Sequence, residues 1–297
     1  MRPVRQTIID EADRVALALG DVQARLVRQE KPKSLRDAEF HVFSQWGEDG
    51  VIQHLLSEVA VPRRLFVEIG VGNYSESNTR FLATHDAWRG VAIDSGSAHD
   101  DFIRRHELDW RLGLTAVSAF VTADNVNDLI QSAEIAGDIG LLSVDVDGVD
   151  YWLLEAIDVI RPRIIVIEYN AVFGHEARVT VPYRADFVAS QAHRSGIYFG
   201  ASLAALVHLA GDKGYIFVGC ESHGANAFFV RADAADSLKA VSVADGYVEN
   251  CFRTSRSESG ELDFASDRIE KLHRIRELPL VDVASGNLTT VADVFAV

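Results

Sequence analysis

The sequence predicts an α/β fold: a doubly wound, mostly parallel sheet with helices on both faces. Three observations carry this reading. From residue 64 onward, short, almost continuously apolar runs alternate with helical patterns, as strands buried on both faces do. The first run, Leu65-Phe66-Val67-Glu68-Ile69, ends in a Gly-x-Gly turn, and the second, Gly90-Val91-Ala92-Ile93-Asp94, ends in an acid. With 297 residues, 48% hydrophobic and 25% charged, the chain can bury one large core and still carry extensions.

The first segment, residues 1–35, reads as an amphipathic helix. Ile8, Ala12, Val15, Leu19, Val22 and Leu26 alternate spacings of four and three, an a/d heptad stripe. Two readings stay open: a helix packed on its own domain, or a seam between two subunits of a homo-oligomer. Lys31-Pro32-Lys33 ends the helix and residues 36–44 form a polar connector. Strands are expected at 65–69, 90–94, 115–121, 139–145 and 163–168, with helices near 76–85, 98–108, 125–133 and 150–160. A helix at 201–209 and a hairpin of 215–220 with 225–231 close the domain, which spans 36–235. The tail, 236–297, is an extension of no evident role.

Net charge is −15. An acidic chain repels phosphate backbones, so nucleic acid is not the expected partner. The cysteines, Cys220 and Cys251, have neither metal spacing nor a disulfide framework. No apolar run approaches the ~20 residues that span a bilayer. A cytoplasmic protein without a membrane partner is expected.

In open α/β sheets, ligands bind beyond the carboxyl ends of the strands, where strand order reverses. Gly70 and Gly72 allow a sharp turn and close approach of a ligand. Asp94 is placed to accept from the two hydroxyls of a ribose. A dinucleotide fingerprint wants a third glycine where Ser75 stands, and Glu68 beside the turn would repel a pyrophosphate. Glu68 suits an ammonium instead. S-adenosylmethionine is therefore expected rather than a nicotinamide dinucleotide. Asp124-Asn125, after the third strand, could meet the adenine, or Asp124 could simply cap a helix.

The run Asp145-Val146-Asp147-Gly148-Val149-Asp150 puts three acids after the fourth strand, and Glu168-Tyr169-Asn170 closes the fifth. Neighbouring strand ends lie ~5 Å apart. Asp145, Glu168 and Asn170 could converge on a hard divalent cation such as Mg²⁺, which would activate a hydroxyl acceptor. The competing reading makes Asp147 or Asp150 a helix cap. Asp145 and the histidines His175 and His223 are the candidate proton acceptors.

Several of these stretches resemble the FkbM-type methyltransferases. Phe43-Ser44-Gln45-Trp46-Gly47-Glu48-Asp49-Gly50 is similar to that family's opening motif. Phe66-Val67-Glu68-Ile69-Gly70 followed by Ser77-Asn78-Thr79, the run Trp88-Arg89-Gly90-Val91-Ala92-Ile93-Asp94, and Val144-Asp145-Val146-Asp147-Gly148 match further segments in order. The resemblance covers residues 43–231. It implies a class I methyltransferase fold, a seven-stranded sheet with an antiparallel last strand. It implies S-adenosylmethionine as donor and a hydroxyl of a sugar, polyketide or other small molecule as acceptor. By position, Glu68, Gly70 and Gly72 would line the methionine part, Asp94 the ribose and Asp124 the adenine. Gln45, Glu48 and Asp49 would fold over the cofactor. Some related sugar O-methyltransferases use Mg²⁺ held by acids where Asp145 and Glu168 stand. The family usually has Glu at the position of Asp147. Two rivals remain: an NAD(P)-binding oxidoreductase, and a non-catalytic binding or scaffold protein.

Overall fold

The computed structural model describes residues 4–251, 255–257 and 259–297, with side chains from residue 11 onward. α1 (Val4–Glu30) leads through α2 (Leu35–Ala38) to α3 (Glu48–Glu58). Ser34 caps α2 by accepting from the Asp37 backbone N–H, so the connector expected at 36–44 is partly helical.

Then follow β1 (Leu65–Ile69), α4 (Arg80–Asp86), β2 (Arg89–Asp94), α5 (Ala98–Arg105), α6 (Leu108–Leu112), β3 (Leu114–Ser118), α7 (Val126–Ser132), β4 (Gly137–Val144), α8 (Asp150–Ala156) and β5 (Ile160–Glu168). β6 (Val179–Thr180), α9 (Ala189–Ala192), α10 (Leu203–Asp212), β7 (Tyr215–Cys220) and β8 (Asn226–Arg231) complete the expected domain.

The main sheet has seven strands in the order β3-β2-β1-β4-β5-β8-β7. β1 to β5 are parallel, and β8 runs antiparallel to both β5 and β7. This is the sheet the resemblance implies. From β1 the chain winds outward to β2 and β3, then returns to place β4 on the other side of β1. Strand order therefore reverses between β1 and β4, where a crevice must open. Register sets the strand ends flush: Ile69 lies beside both Ile93 and Val144.

Strand interiors are apolar because helices cover both faces. One cluster gathers Val67, Val91, Leu142 and Ile165, and the other gathers Phe66, Ala92, Leu141 and Ile164. The expected elements differ mainly at their ends. β3 stops at Ser118, and the helix near 98–108 breaks at Glu107, whose φ is 61°. β5 begins at Ile160, where Ile160-Arg161-Pro162 pairs with Gly137-Asp138-Ile139.

The tail is not a loose appendage. α11 (Val243–Gly246), α12 (Arg268–Arg274), β9 (Pro279–Asp282), β10 (Asn287–Thr290) and α13 (Val291–Phe295) fold within it. β9 pairs with β6, and Leu272, Ile275, Leu280 and Val291 join the first core cluster. Among the described residues, no helix is long and apolar enough to cross a membrane.

α1 packs on the domain through a face other than its heptad stripe. Its Ala24 and Val27 are buried against the domain, and Gly20 lets Phe81 and Val42 approach. The heptad stripe is a different face: Val15, Leu19, Val22 and Leu26 are all exposed. The side chain of Ile8 lies outside the described residues. Arg80 in α4 ties α1 down through an ion pair with Asp13 and stacks over Phe43 at 3.7 Å.

Candidate functional site

A cavity of about 970 Å³ opens at the carboxyl ends of β1, β2, β4 and β5. At one end lies the bend after β1. Gly70 (φ 85°) packs so tightly on the next strand end that an added Cβ would sit 1.5 Å from the Asp145 carbonyl oxygen. Gly72 (φ 54°) faces open space, with nothing within 4 Å of a Cβ placed there. The first glycine thus closes the β1–β4 crevice floor, and the second leaves its surface bare.

Asp94, ending β2, turns toward this bend. Its Oδ2 accepts the Gly72 N–H at 2.8 Å and its Oδ1 the Gly96 N–H at 2.9 Å. Each carboxylate oxygen keeps a further lone pair for a ligand. Phe120 and Val121 continue the wall, and Phe120 is 45% exposed, an apolar ring with little protein covering it.

Glu68 lines the cavity, yet its carboxylate serves chiefly as an anchor. It accepts from Ser77 Oγ (2.6 Å), the Asn78 N–H (2.8 Å), the Thr79 N–H (3.2 Å) and the Thr79 hydroxyl. Burial pushes its pKa up, against these hydrogen bonds. The 77–79 segment is thereby fixed at the rim, and Ser77 and Asn78 join the cavity wall.

The other end is acidic. Asp145, Asp147 and Glu168 each offer an oxygen within 4.8 Å of the others. Asp145 and Glu168 share a side-chain hydrogen bond, and burial, then the negative charge of neighbouring acids (Asp147 and Asp150 for both, and Asp145 for Glu168), pushes both pKa values well up. Two such carboxyls need a proton or a cation between them. Glu168 Oε2 is buried with no hydrogen-bond partner among the described residues. Asp147 adopts φ 51°, a left-handed conformation that Asp, with its short polar side chain, adopts as a single residue. Asp150 stands behind, accepting from the N–H groups of Val146 (2.8 Å) and Gly148 (3.0 Å), and burial pushes its pKa to about 6. It shapes the loop that presents Asp145 and Asp147. Phe187, Ile197 and Phe199 give this end an apolar wall.

Of the residues expected at the site, Gln45, Glu68, Gly70, Gly72, Asp94, Asp145, Glu168 and Asn170 line the cavity. Others do not, and the reasons are local. Glu48 is buried, accepting from the Trp46 N–H (2.8 Å) and Asn226 Nδ2 (2.9 Å). Asp49 is buried as well, its Oδ2 accepting from the N–H groups of Val42, Phe43 and Ser44. These two acids hold the opening motif together from beneath rather than folding over a ligand.

Asp124 is exposed and off the cavity wall. Asn125, not Asp124, takes the helix N-cap position, and its side chain is spent on the Thr122 N–H and the Phe120 carbonyl. Asn170 lines the cavity with its amide engaged in the fold: Nδ2 donates to the carbonyls of Ile197 and Phe199, and Oδ1 accepts the Val172 N–H. Asp147 takes its place in the acidic cluster. His175 packs on Tyr247 at 4.7 Å and His223 stacks on Trp46 at 4.0 Å, neither on the wall.

The tail supplies what the sequence left unplaced. Asn250, Arg256 and Lys271 line the cavity. Arg256 is held at the wall by its backbone N–H, which donates to the Ser195 carbonyl at 3.1 Å. Lys271 is 6% exposed, on α12, which is docked by Arg268 Nε on the Val172 carbonyl at 2.9 Å. No periodicity or motif marks these residues.

No protein family and no curated protein sequence matches the chain. Among solved structures it is similar to the CurJ carbon methyltransferase, with TM-score 0.39 and 11% identity over 77% of this chain and 69% of that one. The O-methyltransferase NcsB1 from neocarzinostatin biosynthesis gives 0.36 and 18% over 56% and 48%. An O-methyltransferase family protein from Burkholderia thailandensis gives 0.37 and 13% over 69% and 59%. The chain thus spans about half the length of NcsB1.

Proposed function

We propose that the chain is an S-adenosylmethionine-dependent methyltransferase acting on a hydroxyl of a small molecule. The observation that carries this reading is the pairing of the bare Gly72 bend with Asp94 at the point where strand order reverses. A carboxylate with lone pairs to spare, beside a backbone no side chain covers, suits a ribose diol and the chain leading from it. Phe120 and Val121 would cover the adenine in place of Asp124 and Asn125. The methionine end would then lie over Gly70, against the Asp145 strand end.

The acidic end fits the acceptor. O-methylation forms an O–C bond as the S–C bond breaks, and the hydroxyl proton must leave. Asp145 and Glu168, both with raised pKa, are the groups placed to take it. The same oxygens suit Mg²⁺: three carboxylates converge, and the buried Glu168 Oε2 has no partner among the described residues. Asp145, Asp147 and Glu168 would hold the ion, which when bound lowers the pKa of an acceptor hydroxyl.

Titration calorimetry with S-adenosylmethionine and its demethylated product tests the donor site. Micromolar binding is expected, and Asp94→Ala should weaken it roughly tenfold or more, as the loss of charge-assisted hydrogen bonds implies. No heat at millimolar ligand would sink the reading. For the ion, Mg²⁺ titrated into the protein should bind, and Glu168→Gln should abolish that binding. Equal binding to both proteins removes the metal from the proposal.

A further inference from the structure

We propose that the outer face of α1 is a seam on which a second copy of this chain docks, with the two α1 helices antiparallel. The proposal is independent of the methyltransferase reading. α1 carries two apolar faces. At 100° per residue, the face through Leu17, Gly20, Ala24 and Val27 lies about 150° from the face through Val15, Leu19, Val22 and Leu26. The first is covered by the protein's own α3 and α4. The second is bare: Val15 is 60%, Leu19 62%, Val22 53% and Leu26 39% exposed. A helix that served only its own domain would carry polar residues on that side.

The chemistry of the occupant can be read from the spacing. Ala12, Val15, Leu19, Val22 and Leu26 repeat at 3.5 residues, the period of a helix that wraps another helix rather than a flat surface or a membrane. The flanks say which helix. With Ala12, Leu19 and Leu26 at a and Val15 and Val22 at d, the g positions are Glu11, Ala18 and Arg25. In an antiparallel pair, g faces g. A partner centred on residue 17 sets Val15 against Leu19 and Ala12 against Val22, and brings Glu11 alongside Arg25, ~3 Å off level along the axis, twice over by symmetry. Glu11 and Arg25 now make exposed ion pairs within α1, with Arg14 and Asp21, and such pairs are weak enough to exchange.

The inner face stays available for its present work. Asp13 holds Arg80, and Arg80 Nη1 donates to the Ser75 carbonyl at 2.8 Å, next to the cavity-lining Glu76. The seam therefore docks a second copy without disturbing the ligand site. A single helix pair buries less than the ~800 Å² per partner of a standard interface, so a weak dimer that forms only as concentration rises is expected.

Analytical ultracentrifugation of the full chain from 1 to 300 µM reads the association. A monomer–dimer equilibrium is expected for the natural chain, and a monomer throughout for Leu19→Glu/Val22→Glu with unchanged circular dichroism. Orientation is read by disulfide formation in a Cys251→Ser background, since Cys220 is buried. Ala12→Cys chains mixed with Val22→Cys chains should cross-link. Val22→Cys alone should not, because two copies of residue 22 would lie ~15 Å apart along the axis. A natural chain monomeric at 300 µM, a dimer that survives the double substitution, or self-linking of Val22→Cys each overturns the proposal.

Discussion

Asp94 and Glu48 are both strand-side or helix-side acids, yet the structure uses them oppositely. Asp94 keeps lone pairs toward the cavity, whereas Glu48 is buried between the Trp46 N–H and Asn226. Burial pushes the Glu48 pKa to about 7, so the folded chain holds a proton that the unfolded chain releases near 4.5. Stability from this group is therefore intact below about pH 4.5 and is lost as pH rises through 7, by up to about 3 kcal/mol. Glu48→Gln removes that loss. Its amide could donate to Asn226 Oδ1, which is buried and without a partner among the described residues. Urea unfolding at pH 5 and pH 8 should show the variant gaining over the natural chain only at pH 8; an equal difference at both would refute the assignment. Gly70→Ala belongs to the same scale. A methyl cannot occupy 1.5 Å from a backbone oxygen, and the cost should exceed the ~1–3 kcal/mol of ordinary overpacking. Thermal melting checks it, and an unchanged midpoint would contradict the geometry. These residues show what a sequence can display. Gly70, Gly72 and Asp94 were legible because backbone chemistry and strand ends dictate their places. Glu48, Asp49 and Asn170 were not, since spacing shows proximity but not which buried N–H claims an oxygen.

Elements were read well where both faces of a strand are buried and poorly where a turn decides. β1 appears at the expected residues, while the helix expected near 76–85 starts only at Arg80 because Glu68 holds 77–79 in a turn. The 145–150 loop is the sharper case. Asp150 was read as a possible cap; it accepts two backbone N–H groups ahead of α8 and so fixes where Asp145 and Asp147 stand. Asp150→Ala leaves both donors, at Val146 and Gly148, without their acceptor. That costs about 1–3 kcal/mol and should loosen the acidic cluster. The expected pattern is a lowered melting point together with weakened Mg²⁺ binding, while affinity for the demethylated cofactor at Asp94 persists. Loss of both ligands equally would mean that the loop supports the whole cavity rather than its acidic end.

At the scale of the whole molecule, the tail decides where the domain ends. The sequence places a boundary near 235, after the closing hairpin. The structure runs the core through it: Leu272, Ile275, Leu280 and Val291 are buried with the central cluster, β9 extends β6, and Tyr247 Oη donates to the Ala171 carbonyl at 2.9 Å. Polar composition concealed this, because the few apolar residues that matter are spaced by turns rather than by any period. Each of those four side chains contributes roughly 1.5–3 kcal/mol on burial. Their sum of about 6–12 kcal/mol is comparable to the entire 5–15 kcal/mol that holds a typical domain folded. A chain ending at residue 235 should therefore lose cooperative unfolding and aggregate, and it would also lack Arg256 and Lys271 from the cavity wall. Differential scanning calorimetry of the two chains checks this. A truncated chain that stays monomeric and melts within about 5 °C of the full one, a shift worth only about 1–2 kcal/mol, would show that residues 236–297 cover the domain without belonging to its core.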